Sequence, residues 1–171
     1  MRLEASLLLV LAGCSAQRVA LVDATAWEVL DASEDPFDDA PTGTTCSPSA
    51  VAVEVEDGEP VLEISTDTCP YVLLGQPTLE RVRAGDLIVA SAAHDELESD
   101  EPAEGHLGLA VGDWTVLDAR ESIPSAAADL DGALVAEADL PAGSLVTLHL
   151  HNHGANTWTV SAVTSGPRGL E

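Results

Sequence analysis

The sequence contains no lysine, few aromatic residues and only three cysteines among its 171 residues. Thirty acidic residues outnumber six arginines and give a formal net charge of −24. Such a surface repels phosphate backbones, so nucleic-acid binding is effectively excluded. The sequence also has no nucleophile elbow, phosphate loop or zinc-protease helix. A conventional hydrolase is therefore disfavoured, and no reaction is assigned from sequence motifs.

The first fourteen residues have the shape of an export signal. A basic residue precedes an apolar run from Leu7 to Ala12, which is too short to span a bilayer as a mature helix. The residues Leu11-Ala12-Gly13-Cys14 resemble the lipobox of bacterial lipoproteins. This resemblance implies a signal peptide over 1–13, lipidation of Cys14 with palmitate, and a membrane anchor. Ser15 then implies the outer membrane of a Gram-negative cell envelope, with ordinary secretion after nearby cleavage as the alternative.

The two remaining cysteines are predicted to form a disulfide. Exported proteins fold in an oxidising compartment, which favours pairing of Cys46 with Cys69. The intervening segment reads as a β-hairpin with a two-residue turn at Asp57-Gly58. The register that sets Val51 opposite Ile64 also sets the two cysteines opposite each other. A disulfide closing a loop of this size contributes about 3 kcal/mol in the chain-entropy model; free reactive thiols are the alternative.

Composition divides the mature chain into an N-terminal linker and one domain. Residues 14–45 read as a lipidated N-terminus and an acidic linker, in which Ala26 to Leu30 could form an added strand. The acidic stretch from Ala32 to Thr45 contains two prolines and a glycine, which predicts low order. Residues 46–165 have the size of one domain, and 166–171 are predicted to be a C-terminal tail.

The domain is predicted to be all-β. Short alternating segments separated by turn signals indicate an antiparallel β-sandwich, jelly-roll-like, or a barrel, with about eight strands and almost no helix. One further hairpin is predicted at Gly112-Asp113. Its two-residue turn sets Val111 opposite Trp114 and Leu109 opposite Val116, so that the apolar residues share one face.

The stretch from Leu145 to Val163 contains three of the five histidines and is also predicted to be a hairpin. Its first half alternates aliphatic residues on one face with polar residues on the other, which include His149, His151 and His153. A three-residue loop at Gly154-Ala155-Asn156 keeps both faces uniform and sets Leu150 opposite Val160. Asn156 is then expected to adopt the left-handed backbone conformation.

The histidine row is a candidate metal site. His149 and His151, two residues apart on a strand, project side by side and could bind zinc or copper with His153, His94 or His106 as the third ligand. No nearby carboxylate or thiol ligand is identifiable from the sequence. The alternative is that these rings, and Asn156 in the loop, only make hydrogen bonds in strand and turn. Calcium has one local candidate, Asp129-Leu130-Asp131-Gly132, which lacks the remaining ligands of a calcium loop.

Several motifs resemble a group of uncharacterised lipoproteins from Gram-negative bacteria. They are Cys69-Pro70-Tyr71, Gln76-Pro77, Ala84-Gly85-Asp86, His94 and the HNHGxNxW stretch from His151 to Trp158. The resemblance covers most of 46–158 and implies an anchored β-sandwich without an assigned activity. More loosely, the chain is similar to jelly-roll carbohydrate-binding modules, which stack sugars on exposed rings. Trp114 and Trp158 are expected in the core, which leaves Trp27 and Tyr71 as platforms.

Two classes of function follow. The first is a lipid-anchored β-sandwich of the cell envelope with a non-catalytic binding or structural role, whose partner is a glycan or an envelope protein. The second is a metal-binding protein that uses the histidine row. No enzyme activity and no resident cofactor are predicted under the first class, while zinc, copper or calcium would be bound under the second. The sequence does not predict an oligomeric state.

Overall fold

The computed structural model describes residues 17–41 and 46–169. The predicted lipidation site Cys14 and the predicted signal peptide lie outside the described residues. Within them, no helix is long and apolar enough to cross a membrane. Eleven strands form: β1 Val19–Ala20, β2 Glu28–Val29, β3 Val51–Glu56, β4 Glu59–Ser65, β5 Tyr71–Pro77, β6 Leu87–His94, β7 Ala103–Val111, β8 Trp114–Ile123, β9 Ala128–Val135, β10 Leu145–His151 and β11 Thr157–Gly166. Two 3₁₀ helices, Ala32–Glu34 and Pro48–Ala50, complete the elements of the described chain.

The strands form two antiparallel sheets. The first sheet has the order β3-β4-β11-β6-β9, with β1 added to β11, and the second has the order β2-β5-β10-β7-β8. The predicted all-β antiparallel sandwich with one disulfide is therefore confirmed. The strand number exceeds the expected eight in part because β1 and β2, two residues each, pair with strands of the main sheets.

The core lies between the two sheets and is built by alternation. Along β6 every second side chain is buried, and along β10 the even positions point inward, as expected for period two. The largest side chain with no exposed surface is Trp158. Burying each such large apolar side chain stabilises the fold by about 1.5–3 kcal/mol, so this layer supplies the main driving force.

The first predicted hairpin is confirmed residue for residue. Val51 pairs with Ile64 across β3 and β4, and the turn uses Asp57 and Gly58 with φ of 50° and 90°. Both residues therefore adopt the backbone conformation that a two-residue turn of this type requires. Cys46 and Cys69 form the disulfide, with their Cα atoms 4.0 Å apart. The bond closes the open end of the hairpin.

The second predicted hairpin, at Gly112-Asp113, is confirmed only near its turn. Val111 pairs with Trp114, but Leu109 pairs with Leu117 instead of Val116 because a β-bulge shifts the register before Ala110. The bulge inserts one extra residue into β8, so Val116 and Leu117 are both buried.

The predicted hairpin between Leu145 and Val163 is wrong. β10 pairs with β5 and β7 in the second sheet, whereas β11 pairs with β4 and β6 in the first, so Leu150 does not oppose Val160. The connecting residues carry the chain from one sheet to the other. Asn152 holds this corner: its side-chain amide donates to the Thr66 hydroxyl at 2.8 Å. Gly154, not Asn156, takes the positive φ, at 103°.

The acidic stretch, expected to have low order, is ordered over residues 31–41 and lies on the outer face of the second sheet; we call it the acidic strap. Asp31 caps its 3₁₀ helix by accepting a hydrogen bond from the Ser33 amide at 2.8 Å. Phe37 then packs against the sheet at Gly108, where a Cβ atom would overlap its ring. Over residues 32–41 the expectation of low order is not met, because this part of the stretch has specific partners on the sheet. The rest of the predicted stretch, residues 42–45, lies outside the described residues.

Candidate metal centre

Three histidines lie together on the outer face of the second sheet. His149 and His151 occupy alternate positions of β10, and His106 on β7 is directly opposite His151 in the register. The rings of His106 and His149 are 4.6 Å apart between centroids. His106 is 2% exposed and His149 is 0% exposed, although the outer face of a sandwich sheet normally meets solvent. The acidic strap accounts for this burial.

The strap places one carboxylate among the three rings. One oxygen of Asp39, Oδ1, lies 2.9 Å from Nδ1 of His106 and 3.2 Å from Nε2 of His149. The other oxygen, Oδ2, lies 3.4 Å from Nδ1 of His151. The sequence offered no carboxylate ligand because Asp39 is 112 positions away from His151 along the chain. The strands β7 and β10 therefore supply the histidines of the site, and the strap supplies its carboxylate.

The ring nitrogens that point away from Asp39 contact other carboxylates. Nδ1 of His149 lies 2.7 Å from Oδ2 of Asp35, which also accepts a hydrogen bond of 2.7 Å from the Tyr71 hydroxyl. Nε2 of His106 lies 2.8 Å from Oδ1 of Asp118 on β8. Burial and the hydrogen bond to Asp35 raise the pKa of Tyr71 and keep its hydroxyl a donor. The rings of His149 and His106 are thus each oriented from behind by an acid, Asp35 or Asp118.

The protonation of His149 follows from its surroundings. Burial lowers the pKa of His149 despite the neighbouring carboxylates, so the ring is neutral near pH 7 and carries one proton. The contact with Asp35 assigns that proton to Nδ1, since a carboxylate can only accept. Nε2 therefore presents a lone pair toward Asp39. It is within ion-pair distance of Oδ1 but outside hydrogen-bonding geometry, and it has no other partner.

Asp39 is ionised. Burial by itself would raise the pKa of Asp39, but its interactions with the three histidines, foremost the hydrogen bond from His106, outweigh burial and hold the pKa below its usual range. Two hydrogen-bond acceptors, Nε2 of His149 and Oδ1 of Asp39, consequently face each other in a largely buried place. Such a contact is repulsive unless a cation lies between the two atoms.

The donor set fits a transition-metal ion. The ligand atoms of Asp39, His106 and His149 all lie within 4.8 Å of one another. Two ligands bound at about 2.0–2.1 Å in a tetrahedral arrangement are roughly 3.3 Å apart, close to the two contacts of Asp39 Oδ1. Imidazole nitrogens suit zinc and copper, and ligating histidines usually donate their second N–H to a carboxylate. Asp35 and Asp118 occupy that second position here.

Access to the site is one-sided. Phe37 covers it with its ring 5.2 Å from His149 and 5.4 Å from His106 between centroids. On the other side the Asp39 side chain is 27% exposed, and the Arg120 guanidinium approaches its Oδ2 to 3.6 Å. Arg120 also pairs with Glu104 at 3.1 Å. The site is therefore open on the side of Asp39, where Arg120 is the one arginine of the described residues that contacts this carboxylate.

The structure separates the other sequence-predicted site residues from this centre. His94 lies on β6 of the first sheet and faces the core, where its ring is 4.9 Å from that of Trp158. His153 is exposed in the corner, with its ring 4.9 Å from His151. Asn156 is buried, and its side-chain oxygen accepts a hydrogen bond of 2.6 Å from the Glu98 amide. His94 and Asn156 thus stabilise the sandwich end.

The calcium candidate lies in a strand, not in a loop. Asp129 and Asp131 are part of β9, and the Ser91 hydroxyl donates to Asp131 at 2.8 Å. Gly132 is packed so closely against the backbone of Val116 that no side chain fits. An extended strand does not wrap its oxygens around one ion, so this stretch forms no calcium loop.

The predicted aromatic platforms differ in exposure. Tyr71 is 7% exposed and lies beneath the strap, so it offers no open face. Trp27 is half-buried and lines a cavity of about 430 Å³ between the N-terminal strands and β11. Trp158 is in the core as expected, and Trp114 is only partly buried against it.

Four residues of the site were missed by the sequence reasoning: Asp35, Phe37, Asp39 and Asp118. One signal could have indicated the strap. Phe37 is the only phenylalanine of the chain and lies within a run of acidic residues. A solvated acidic segment has no need of such an apolar ring. A lone aromatic residue in an acidic linker indicates a docking point, because a disordered segment gains nothing from it.

Comparisons with known proteins found matches at low sequence identity among solved structures. No protein-family model and no curated protein matches the chain. Among solved structures, the adhesin domain of Lys-gingipain from Porphyromonas gingivalis matches with a TM-score of 0.49 at 10% identity, over 88% of this chain and 99% of that chain. TmCBM61 in complex with β-1,4-galactotriose matches with a TM-score of 0.47 at 12% identity, over 84% and 89%.

A third similar structure is part of a larger enzyme. It is the Clostridium thermocellum xylanase 10B with its CBM22-1 and GH10 modules, matched with a TM-score of 0.42 at 9% identity. The match covers 73% of this chain but only 26% of that chain. At such low identities no ligand or activity is carried over, and the function has to be inferred from the residues of the site.

Proposed function

We propose that this protein binds one transition-metal ion, zinc or copper, through Asp39, His106 and His149. A single observation carries this proposal. Nε2 of the buried His149 lies 3.2 Å from Oδ1 of Asp39 and has no hydrogen-bond partner in the described structure. The second ring nitrogen of His149 already contacts Asp35, and that of His106 already contacts Asp118. A divalent cation at the centre turns this repulsion into coordination.

The ligand types favour these metals over harder cations. Calcium and magnesium take mainly oxygen ligands, whereas this centre supplies two imidazoles and one carboxylate. Copper(II) binds such donors more tightly than zinc by the general order of divalent affinities, so availability in the envelope decides between them. Electron paramagnetic resonance detects bound copper(II) and is silent for zinc.

The test is metal content and affinity of the protein purified without an affinity tag. We expect close to one zinc or copper per chain by elemental analysis, and saturable binding by calorimetry after removal of the metal. His106→Ala and His149→Ala should each abolish stoichiometric binding. His153→Ala is the matched control, because this exposed histidine lies beside the site without facing Asp39, and it should bind like the wild type. Metal-free wild type that ignores both ions would refute the proposal.

We also propose that the protein is lipid-anchored through Cys14 and faces an oxidising compartment of the envelope. The lipobox-like sequence supports the anchor, and the Cys46–Cys69 disulfide is typical of exported proteins. Labelling cells with radioactive palmitate tests the anchor. The label should appear in the wild type, disappear in Cys14→Ser, and persist in Cys46→Ser. Absence of label from the wild type would favour ordinary secretion.

A non-catalytic glycan-binding role is the second candidate function, and one observation favours it. The half-buried Trp27 lines a cavity together with the acidic side chains of Asp23 and Glu59, and this combination of ring and polar groups suits a sugar. A glycan array with the wild type and Trp27→Ala tests it. Binding that requires Trp27 supports a glycan ligand. The His149→Ala variant should leave that binding unchanged, because the cavity and the metal centre share no lining residue.

A further inference from the structure

We propose that His151 is the fourth ligand, so that the metal site is closed and fastens the acidic strap to the sheet. This inference rests on the proposed metal binding and concerns the role of the ion once bound. A site with three protein ligands keeps a position for water or substrate, as catalytic zinc sites do. A site with four is closed, as structural zinc sites are.

Strand geometry places His151 correctly for this role. It follows His149 by two positions on β10, so both rings project from the same face of the sheet. It also pairs directly with His106 of β7, and directly opposed residues have Cβ atoms about 4.5–5.5 Å apart. The three rings therefore form a triangle with one edge along a strand and one edge across two strands.

One carboxylate contacts all three rings. Asp39 reaches His106 at 2.9 Å, His149 at 3.2 Å and His151 at 3.4 Å, using its two oxygens. The His151 contact is the longest, and its side chain, 19% exposed, is less confined than the other two. A rotation that turned Nδ1 of His151 toward Oδ1 of Asp39 would bring three nitrogens and one oxygen together. This N₃O set is complete for a tetrahedral ion.

The closed site would hold the strap because Asp39 is its only ligand from outside the sheet. On the N-terminal side, β2 anchors the chain by pairing Glu28 and Val29 with β5. On the C-terminal side, Cys46 is tied to Cys69. Between these two fixed points, Asp39 is the position at which a bound metal joins the strap to β7 and β10. Loss of the metal would free this point while both ends stay attached.

The alternative is an open site. If His151 stays unbound, a fourth position remains beside Asp39 and the Arg120 guanidinium, where a small anion could coordinate. The two arrangements differ in one measurable property. An open cobalt or zinc site exchanges its water for added azide, whereas a closed site does not.

The experiment uses the full chain with cobalt(II) in place of zinc. Tetrahedral cobalt(II) has intense visible absorption bands that move when an exogenous anion binds. We expect the wild-type bands to be unaffected by azide. His151→Ala and His151→Gln should show bands that shift on azide addition, with cobalt affinity lowered by more than about 100-fold, since loss of even an outer partner costs 10–100-fold. His153→Ala is the matched control and should behave as the wild type.

The outcomes separate this inference from the proposed function. Wild-type cobalt bands that shift with azide would overturn the closed site while leaving metal binding intact. The closed site would also be overturned if both His151 variants had the cobalt affinity and the absorption bands of the wild type. Failure of the wild type to take up any cobalt, zinc or copper would overturn the metal centre itself and this inference with it.

Discussion

His94 and His149 are both buried histidines, and the difference between them separates a structural residue from a site. His94 is 3% exposed and His149 is 0% exposed, so burial does not distinguish them. His94 faces the core beside Trp158, and its Nδ1 lies 2.8 Å from the Asp95 carbonyl. His149 faces away from the core and has a carboxylate at each ring nitrogen.

The site depends on the segment that covers the histidine and not on the sheet from which the histidine projects. His94 is buried by the opposite sheet, whose inner face is apolar. His149 is buried by the acidic strap, which brings Asp35 and Asp39 to the ring. An apolar cover leaves a histidine with only local backbone partners, whereas an acidic cover orients the ring and attracts a cation.

The largest expected effect comes from removing the charge that the strap delivers. Asp39→Asn keeps the shape of the side chain but removes the anionic ligand. Zinc affinity should therefore fall by at least about 100-fold, since loss of a residue that only hydrogen-bonds a ligand already costs about 10–100-fold. Isothermal calorimetry measures this. Asp38→Asn is the matched control, because Asp38 is the exposed neighbour of Asp39 in the same strap. This variant should bind zinc with the affinity of the wild type. Equal affinities in the two variants would contradict the role of the strap.

Metal removal should make the acidic strap over His149 more mobile and leave the strand β6 around His94 unchanged. Binding to the native state alone stabilises a protein by about 2.7 kcal/mol when the free metal is 100 times its Kd. Urea unfolding with and without zinc measures this difference. Hydrogen exchange should be faster in the strap without zinc, while β6 amides around His94 exchange equally slowly. Equal protection of the strap in both states would show that the ion does not hold it.

Truncation of the core histidine should affect stability without affecting metal. His94→Ala leaves a cavity beside Trp158 but also removes Nε2, a buried nitrogen without a partner. We expect a net loss of about 1–2 kcal/mol in the free energy of unfolding, within the usual range for point mutants. Chemical denaturation measures the loss. Metal content should match that of the wild type, and a metal-free His94→Ala protein that still folds would place this residue in the centre.

The sequence predicted the sandwich and one hairpin because these features are encoded locally. The Asp57-Gly58 turn selects one register by itself, and the disulfide follows from that register. The stretch after Leu145 was mistaken for a hairpin because alternation is the same whether the next strand pairs back or crosses to the other sheet. The crossing depends on Asn152 and Thr66, which are 86 positions apart.

The candidate site was predictable only by half, for the same reason. His149 and His151 were found because period two puts them on one face within a single strand. Asp39 was not found because acidic, proline-containing composition is typical of disorder, and its partners lie on distant strands. The docking of the strap depends on Phe37 and Gly108, a contact that neither local sequence encodes.

That contact gives the smallest and most specific prediction. Position 108 lies opposite His149 in the register, and the missing Cβ leaves room for the Phe37 ring. Gly108→Ala should push this ring outward, lift Asp39 slightly and weaken zinc binding about tenfold, which corresponds to about 1.4 kcal/mol. Calorimetry of the variant measures the change.

A double-mutant cycle identifies the cause of that effect. In a Phe37→Ala background the ring is absent, so Gly108→Ala should weaken zinc binding no further, and the two substitutions should be non-additive. Additive losses would mean that the alanine methyl group disturbs β7 itself and not the strap. His94→Ala should behave differently, because His94 lies on the first sheet and shares no partner with Gly108. The losses in the free energy of unfolding caused by His94→Ala and Gly108→Ala should therefore be additive.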